Sequence, residues 1–253
     1  VFTADPAALV VGDTVYLYVG HDNAKEGEIF TMPDWLCFSS KDMRNWTAHG
    51  TVLSPTNFSW GAPNSAWAAQ VIQKDGRYFY YVTVKGLRMA PGNNIGVAVA
   101  DSPTGPFQDA IGKPLVRASM TPNAKRPWED IDPTVWIDDD GTPWLSWGNG
   151  DCYLVKLRQN MIELDGTIER IELPNYVEGP WLFKRDKLYY LVYAAIVRPI
   201  GSEQIAYATA EMITGPWTYR GLVTGPAKNS FTIHPAIIEF KGNWYFIYHN
   251  GGA

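Results

Sequence analysis

Cysteine is nearly absent: Cys37 and Cys152 are the only two in 253 residues. They lie far apart and lack metal-ligand spacing, which excludes a disulfide framework and a cysteine-built zinc site. Both are read as small buried side chains. Runs of lysine or arginine are missing too, and the net charge is −5. Nucleic acid and anionic membrane surfaces are therefore poor partners. No stretch of about 20 apolar residues occurs, so no helix is expected to span a bilayer. Helical periodicity is scarce. The pattern alternates with period two, as in Val15-Tyr16-Leu17-Tyr18 and Tyr78-Phe79-Tyr80-Tyr81. The chain opens VFTADP without methionine, from which a missing natural start is expected. The compartment stays open, with a secreted or periplasmic setting placed ahead of a cytoplasmic one.

Aromatic residues, by contrast, are abundant, with 11 Trp and 14 Tyr. Such rings suit sugar-handling β-proteins, because they cover the apolar faces of pyranoses and furanoses. The bland alternative is that they fill the wedges between twisted sheets. Most of the Tyr and about half of the Trp are assigned to that role.

Five segments look alike, beginning at Asp5, Trp67, Asp132, Glu178 and His234. Each is a short apolar run, a turn and an aromatic-rich run. The turns fall at Gly12-Asp13, Asp75-Gly76, Asp140-Gly141, Asp186-Lys187 and Gly242-Asn243. That is a β-hairpin repeated. A second phrase follows four of them, at 37–53, 97–115, 153–171 and 207–224, and adds two outer strands. Four antiparallel strands make one propeller blade, and repeats of this kind signal a propeller or solenoid. The expected fold is all-β: a single five-bladed β-propeller domain over 1–253, with four antiparallel strands per blade. Its blades fall at about 5–53, 67–115, 132–171, 178–224 and 234–253. The last is incomplete, with two strands only.

A radial arrangement would turn the first residue of each repeat toward one axis. Three of the five, Asp5, Asp132 and Glu178, are acids at matching positions. Asp5 and Asp132 precede proline, which biases them toward extended backbone. One Asp-Pro alone is an ordinary turn dipeptide. Three acids on one axis have no packing rationale, since their repulsion costs energy, and such clusters mark function. The trio suits glycoside hydrolysis. One acid protonates the departing oxygen, one carboxylate takes a proton from water, and the third raises the acid's pKa and holds it in place.

These residues carry a resemblance. ADP near the start, DIDPTVWIDDDG in the middle, EGPWLFKR later and FTIHPAII near the end occur in the order of glycoside hydrolase family 43. The likeness runs over essentially the whole chain. It implies Asp5 as general base, Glu178 as general acid and Asp132 as the residue that tunes and orients Glu178. It implies single-displacement hydrolysis with inversion. SAWAAQ and SPTGPF are most similar to the branch acting on arabinoxylan, with α-L-arabinofuranosidase activity, β-xylosidase activity, or both. The resemblance places a calcium ion or a water cluster beside His234 on the axis; no organic cofactor is implied. It also implies a sugar-binding arginine beyond residue 253, for which Arg88, Arg126 or Arg198 would be substitutes.

Trp67 is expected to stack on the sugar, with Phe58 and Trp60 lining the approach. Ile233 stands where relatives carry a polar Asn, which puts strict arabinose preference in question. His21 and Asp22 are placed near the funnel; His49 and His249 get surface or core roles. The leading expectation is an exo-acting inverting glycosidase that releases arabinofuranose, xylose or both from arabinoxylan, xylan or xylo-oligosaccharides. Its competitors are a propeller that binds glycans or proteins without cleaving them, and a hydrolase directed at arabinan or galactan.

Overall fold

A computed structural model describes residues 1–25, 28, 30–122 and 124–251. The chain is all-β apart from one short 3-10 turn, Pro55–Asn57. The first sheet holds β1 (Phe2–Val11), β2 (Thr14–Asp22), β3 (Trp35–Ser40) and β4 (Thr47–Leu53) in that order. The second holds β5 (Ala69–Lys74), β6 (Arg77–Lys85), β7 (Asn93–Ala100), β8 (Gln108–Asp109) and β9 (Val116–Arg117). The third holds β10 (Thr134–Ile137), β11 (Pro143–Trp147), β12 (Cys152–Leu157) and β13 (Leu164–Ile171). The fourth holds β14 (Tyr176–Arg185), β15 (Leu188–Ala195), β16 (Gln204–Ala210) and β17 (Thr218–Thr224). β18 (Pro235–Phe240) and β19 (Asn243–Tyr248) form a two-stranded sheet. The architecture is a β-propeller with four complete blades, not five; the last unit is a lone hairpin. Four strands per blade holds except in the second, whose outer position is shared by β8 and β9, both paired to β7.

The turns explain the hairpins. Val11 pairs with Thr14 across Gly12-Asp13, and Lys74 pairs with Arg77 across Asp75-Gly76. Asp75 and Gly76 both have positive φ, 51° and 77°, as a type I′ turn demands. Two expected turns differ. Phe240 pairs with Asn243, so the last turn is Lys241-Gly242, one residue earlier than Gly242-Asn243. Its φ values of 51° and 74° repeat the type I′ pattern. Asp140-Gly141 lies in a longer loop, because the pairing stops at Ile137 and Pro143.

Side chains wedge the sheets together. Tyr18, Trp35, Phe58, Trp60, Tyr80 and Phe107 pack between the first and second sheets. Tyr81, Trp147 and Tyr153 pack between the second and third. Polar atoms of these rings stitch neighbouring blades. Trp35 Nε1 donates to Trp67 O at 2.7 Å, and the Tyr81 hydroxyl donates to Met161 O at 2.6 Å. The stitching is partial, since Trp60 Nε1 and the Tyr80 hydroxyl are buried in the first of these wedges without a hydrogen-bond partner among the described residues. Cys37 and Cys152 are buried and unpaired with each other, and burial pushes both thiols up to about 12. Among the described residues, no helix is long and apolar enough to cross a membrane.

The first strands form a ring. β1 touches β5, β5 touches β10, β10 touches β14, β14 touches β18, and β18 touches β1. The inner ends of these strands surround one axis.

Candidate active site

Asp5, Asp132 and Glu178 meet there. Their backbone is not the extended one expected before proline. Asp5 has φ 52° and Asp132 φ 61°, in the left-handed region, which Asp tolerates better than most residues. Glu178 is followed by Gly179 at φ 59°. In β1 and β14 the register shifts at this point, between Ala4 and Ala7 and between Glu178 and Trp181. A bulge re-aims a side chain, and here the local geometry overrides the proline bias. Left-handed non-glycine residues cost on the order of 1 kcal/mol or more and persist where the surroundings hold them.

His234, just ahead of β18, sits among all three acids. Its Nδ1 is 3.4 Å from Asp5 Oδ1, and its Nε2 is 3.1 Å from Glu178 Oε1 and 3.7 Å from Asp132 Oδ2. Burial works against a charged imidazole here. The three acids outweigh it and hold the His234 pKa well above its ordinary value. The charged form of His234 is thus favoured, with its Nε2 hydrogen-bonded to Glu178 Oε1.

Asp132 is fixed from both ends. Its backbone N–H donates to Thr83 Oγ1 at 2.9 Å, and its Oδ2 accepts from Gly179 N at 3.0 Å. The second bond anchors the bulge that carries Glu178. Burial, with the charges of Glu178 and Asp5, pushes the Asp132 carboxyl well above its usual range against the pull of His234. Glu178 goes the other way. Burial raises it, but the hydrogen bond and charge of His234, joined by Asn149 and Glu203, hold it below the usual carboxylate range. The expected upward push on Glu178 is thus reversed, while Asp132 and Glu203 are pushed upward.

Two of those neighbours were not anticipated. Asn149 Nδ2 donates to Glu178 Oε2 at 2.5 Å. Glu203, just ahead of β16, is buried beside Glu178, and the two carboxyls act on each other. It also accepts from Ile233 N at 3.0 Å. Burial and the Glu178 charge raise its carboxyl to about 8.

A cavity of about 1050 Å³ opens over the cluster. Asp5, Asp132, Glu178, His234, Trp67, Asp22 and Arg126 line it. Two expected substrate contacts do not. Phe58 is 1 % exposed and packs on Trp60 in the wedge between the first two sheets. Ile233 is 1 % exposed in the core beside β14 and β18. It precedes His234 in an extended segment, so alternation turns it away from the axis. Trp60 is likewise core. Arg88 and Arg198 are not among the lining residues, nor is His21, which pairs with Asp34 at 2.8 Å. His49 hydrogen-bonds Ser39 at an exposed site.

Among the described residues, Asp132, Glu178 and His234 are a set of metal-capable side chains with ligand atoms within 4.8 Å of one another. Calcium takes six to eight oxygens. This set offers two carboxylates and a nitrogen already hydrogen-bonded to Glu178, while the other ring nitrogen faces Asp5. As they stand, these residues do not fit a calcium ion.

Known proteins share this frame. An α-L-arabinofuranosidase from Clostridium thermocellum superposes with a TM-score of 0.86 at 34 % identity, over 98 % of this chain and 82 % of its own. A β-D-galactofuranosidase of Aspergillus niger is 31 % identical over 97 % of this chain and 73 % of its own. An arabinoxylan arabinofuranohydrolase of Bacillus subtilis is 31 % identical over 97 % of this chain, which spans only 55 % of that relative's length. The sequence model of glycosyl hydrolases family 43 matches residues 1–253, and the chain belongs to that family.

Proposed function

We propose that this protein is an exo-acting, inverting glycosidase that releases a terminal or side-chain arabinofuranose from arabinoxylan-type substrates, with xylose as a further leaving sugar. The observation that carries the reading is the cluster of half-buried Asp5 with buried Asp132 and Glu178 at the floor of one cavity. Glu178 is the general acid and Asp5 the general base. Asp132 orients Glu178 through Gly179 N. The His234 ring lies between Asp5 and Glu178, one nitrogen toward each. Inversion requires a water between the base and the sugar, on the face opposite the leaving group. Asp132, Glu203 and His234 hold protons around Glu178, which draws on them when the leaving oxygen arrives. Trp67, at the cavity wall, offers a face for the sugar ring. We read the β18–β19 hairpin as the inner half of a fifth blade, since β18 occupies the remaining place in the ring.

A second substrate is supported by the galactofuranosidase relative. β-D-galactofuranose and α-L-arabinofuranose share ring stereochemistry and differ in the exocyclic chain. A cavity of about 1050 Å³ has room for either. The test is release of nitrophenol from aryl arabinofuranoside, xyloside and galactofuranoside, with the anomer of the first product followed by NMR. Release of the inverted sugar from the arabinofuranoside is expected. No release from any of the three would favour a binding propeller, and a retained anomer would remove the base role of Asp5.

Glu203 adds a pH signature. Its carboxyl is raised from 4.5 to about 8 in the folded protein. A raised folded-state pKa contributes stability that is present below the unfolded value and lost as pH climbs through the folded one. The loss therefore falls between pH 4.5 and about 8. Gln at this position still accepts from Ile233 N and donates to Glu178 without ionising. The melting temperature of Glu203→Gln should gain on wild type as pH rises across that window. A constant difference would show that Glu203 does not hold a proton there.

A further inference from the structure

His249 follows β19 at the far end of the described chain, and no motif marked it. Its Nδ1 accepts a hydrogen bond from the backbone N–H of Asp5 at 3.2 Å, across 244 residues of sequence. Its Nε2 faces the carbonyl of Thr232 at 2.9 Å. A carbonyl only accepts, so Nε2 carries the hydrogen and Nδ1 is left with its lone pair toward Asp5. Three groups thus form one chain: Thr232 O fixes the tautomer, the tautomer supplies the acceptor, and the acceptor holds Asp5.

The grip falls on a demanding spot. Asp5 has φ 52°, sits at the register shift of β1, and is followed by proline. An N–H there has no ladder partner to restrain it. The carboxylate leans on His234, whose Nδ1 is 3.4 Å from Asp5 Oδ1, while His249 Nδ1, a lone-pair acceptor, serves the backbone N–H and not the carboxylate. His249 is largely buried and faces Asp5, His234 and Glu178. Burial holds its imidazole below the ordinary pKa despite the charge of Asp5, and the positive His234 adds to this. The ring stays neutral, as the acceptor role demands.

We infer that His249 is a positioning residue for the general base: it holds the left-handed backbone of Asp5 so that the carboxylate meets the attacking water. This rests on the reading of Asp5 given above. His249 acts through Asp5 and not on the sugar. Its removal should therefore lower kcat and leave KM within a few-fold. It should also slow aryl and natural substrates alike, because the water-activating step serves both.

The experiment compares three variants. His249→Ala should lose roughly 10- to 100-fold in kcat, the scale of a small misplacement of a reacting group. His249→Asn keeps an acceptor near the Nδ1 position and should recover most of that loss. His249→Gln keeps only a group near the Nε2 position and should behave like Ala. An amide NMR spectrum gives a readout independent of turnover. The Asp5 N–H signal should move strongly in Ala and Gln and little in Asn. Unchanged kcat in Ala, equal behaviour of Asn and Gln, or a loss confined to KM would each overturn the inference. If wild type cleaves nothing while the Asp5 signal still follows this order, the hydrolase reading fails and the grip on Asp5 stands.

Discussion

Glu178→Ala should lose about 10³- to 10⁴-fold in turnover on arabinoxylan-type substrates and far less on nitrophenyl glycosides. A sugar leaving group departs as a poor alkoxide unless it is protonated. Nitrophenolate departs unaided. The difference between the two losses isolates proton donation from any general damage. Glu178 also receives hydrogen bonds from Asn149 and His234. Removing the carboxyl leaves those donors without their acceptor, so some loss on both substrates is expected. Melting temperature and substrate affinity separate this common loss from the acid effect. Equal losses on the two substrates, in a protein that melts normally, would remove Glu178 from the acid role.

Asp5→Ala gives the opposite pattern. Without a base the attacking water keeps its proton, so both substrate types should lose about 10³-fold or more. Azide is already an anion and needs no base. Added to Asp5→Ala with an aryl substrate, it should enter the vacated space and displace nitrophenolate. The product would be a glycosyl azide of inverted anomeric configuration, with Glu178 still at the leaving-group side. Selective loss on natural substrates alone, or an azide product of retained configuration, would reassign Asp5.

The trio was legible because it is repetitive. Asp5, Asp132 and Glu178 occupy one place in three hairpins, and a ring of first strands turns equal places into one location. Radial symmetry thus converts a linear pattern into a site. What was missed lies off that pattern. Thr83 is on a second strand, Asn149 follows one, and Glu203 heads a third. Packing between blades brings them inward, and no repeat flags them. Ile233 was misplaced for a simpler reason. A polar Asn in relatives suggested a sugar contact at that place, but the Ile233 side chain packs into the core while His234 faces the acids. Phe58 was misread because an aromatic loop residue near a pocket can equally fill a wedge, and the missing side chain of Gly96 decides it: the Phe58 ring lies close to the place a Cβ there would occupy. The left-handed backbone of Asp5 and Asp132 was hidden because proline restricts its predecessor without dictating which remaining region is used.

The bond between the amide of Asp5 and the ring of His249 joins the two extremities of the described fold. A ribosome makes the second of these 244 residues after the first. Until the latter docks, the backbone amide of Asp5 lacks the acceptor it has in the fold. With Asp5 as the proposed base, hydrolytic competence would be a late event in biogenesis and would double as a report that the circle has closed.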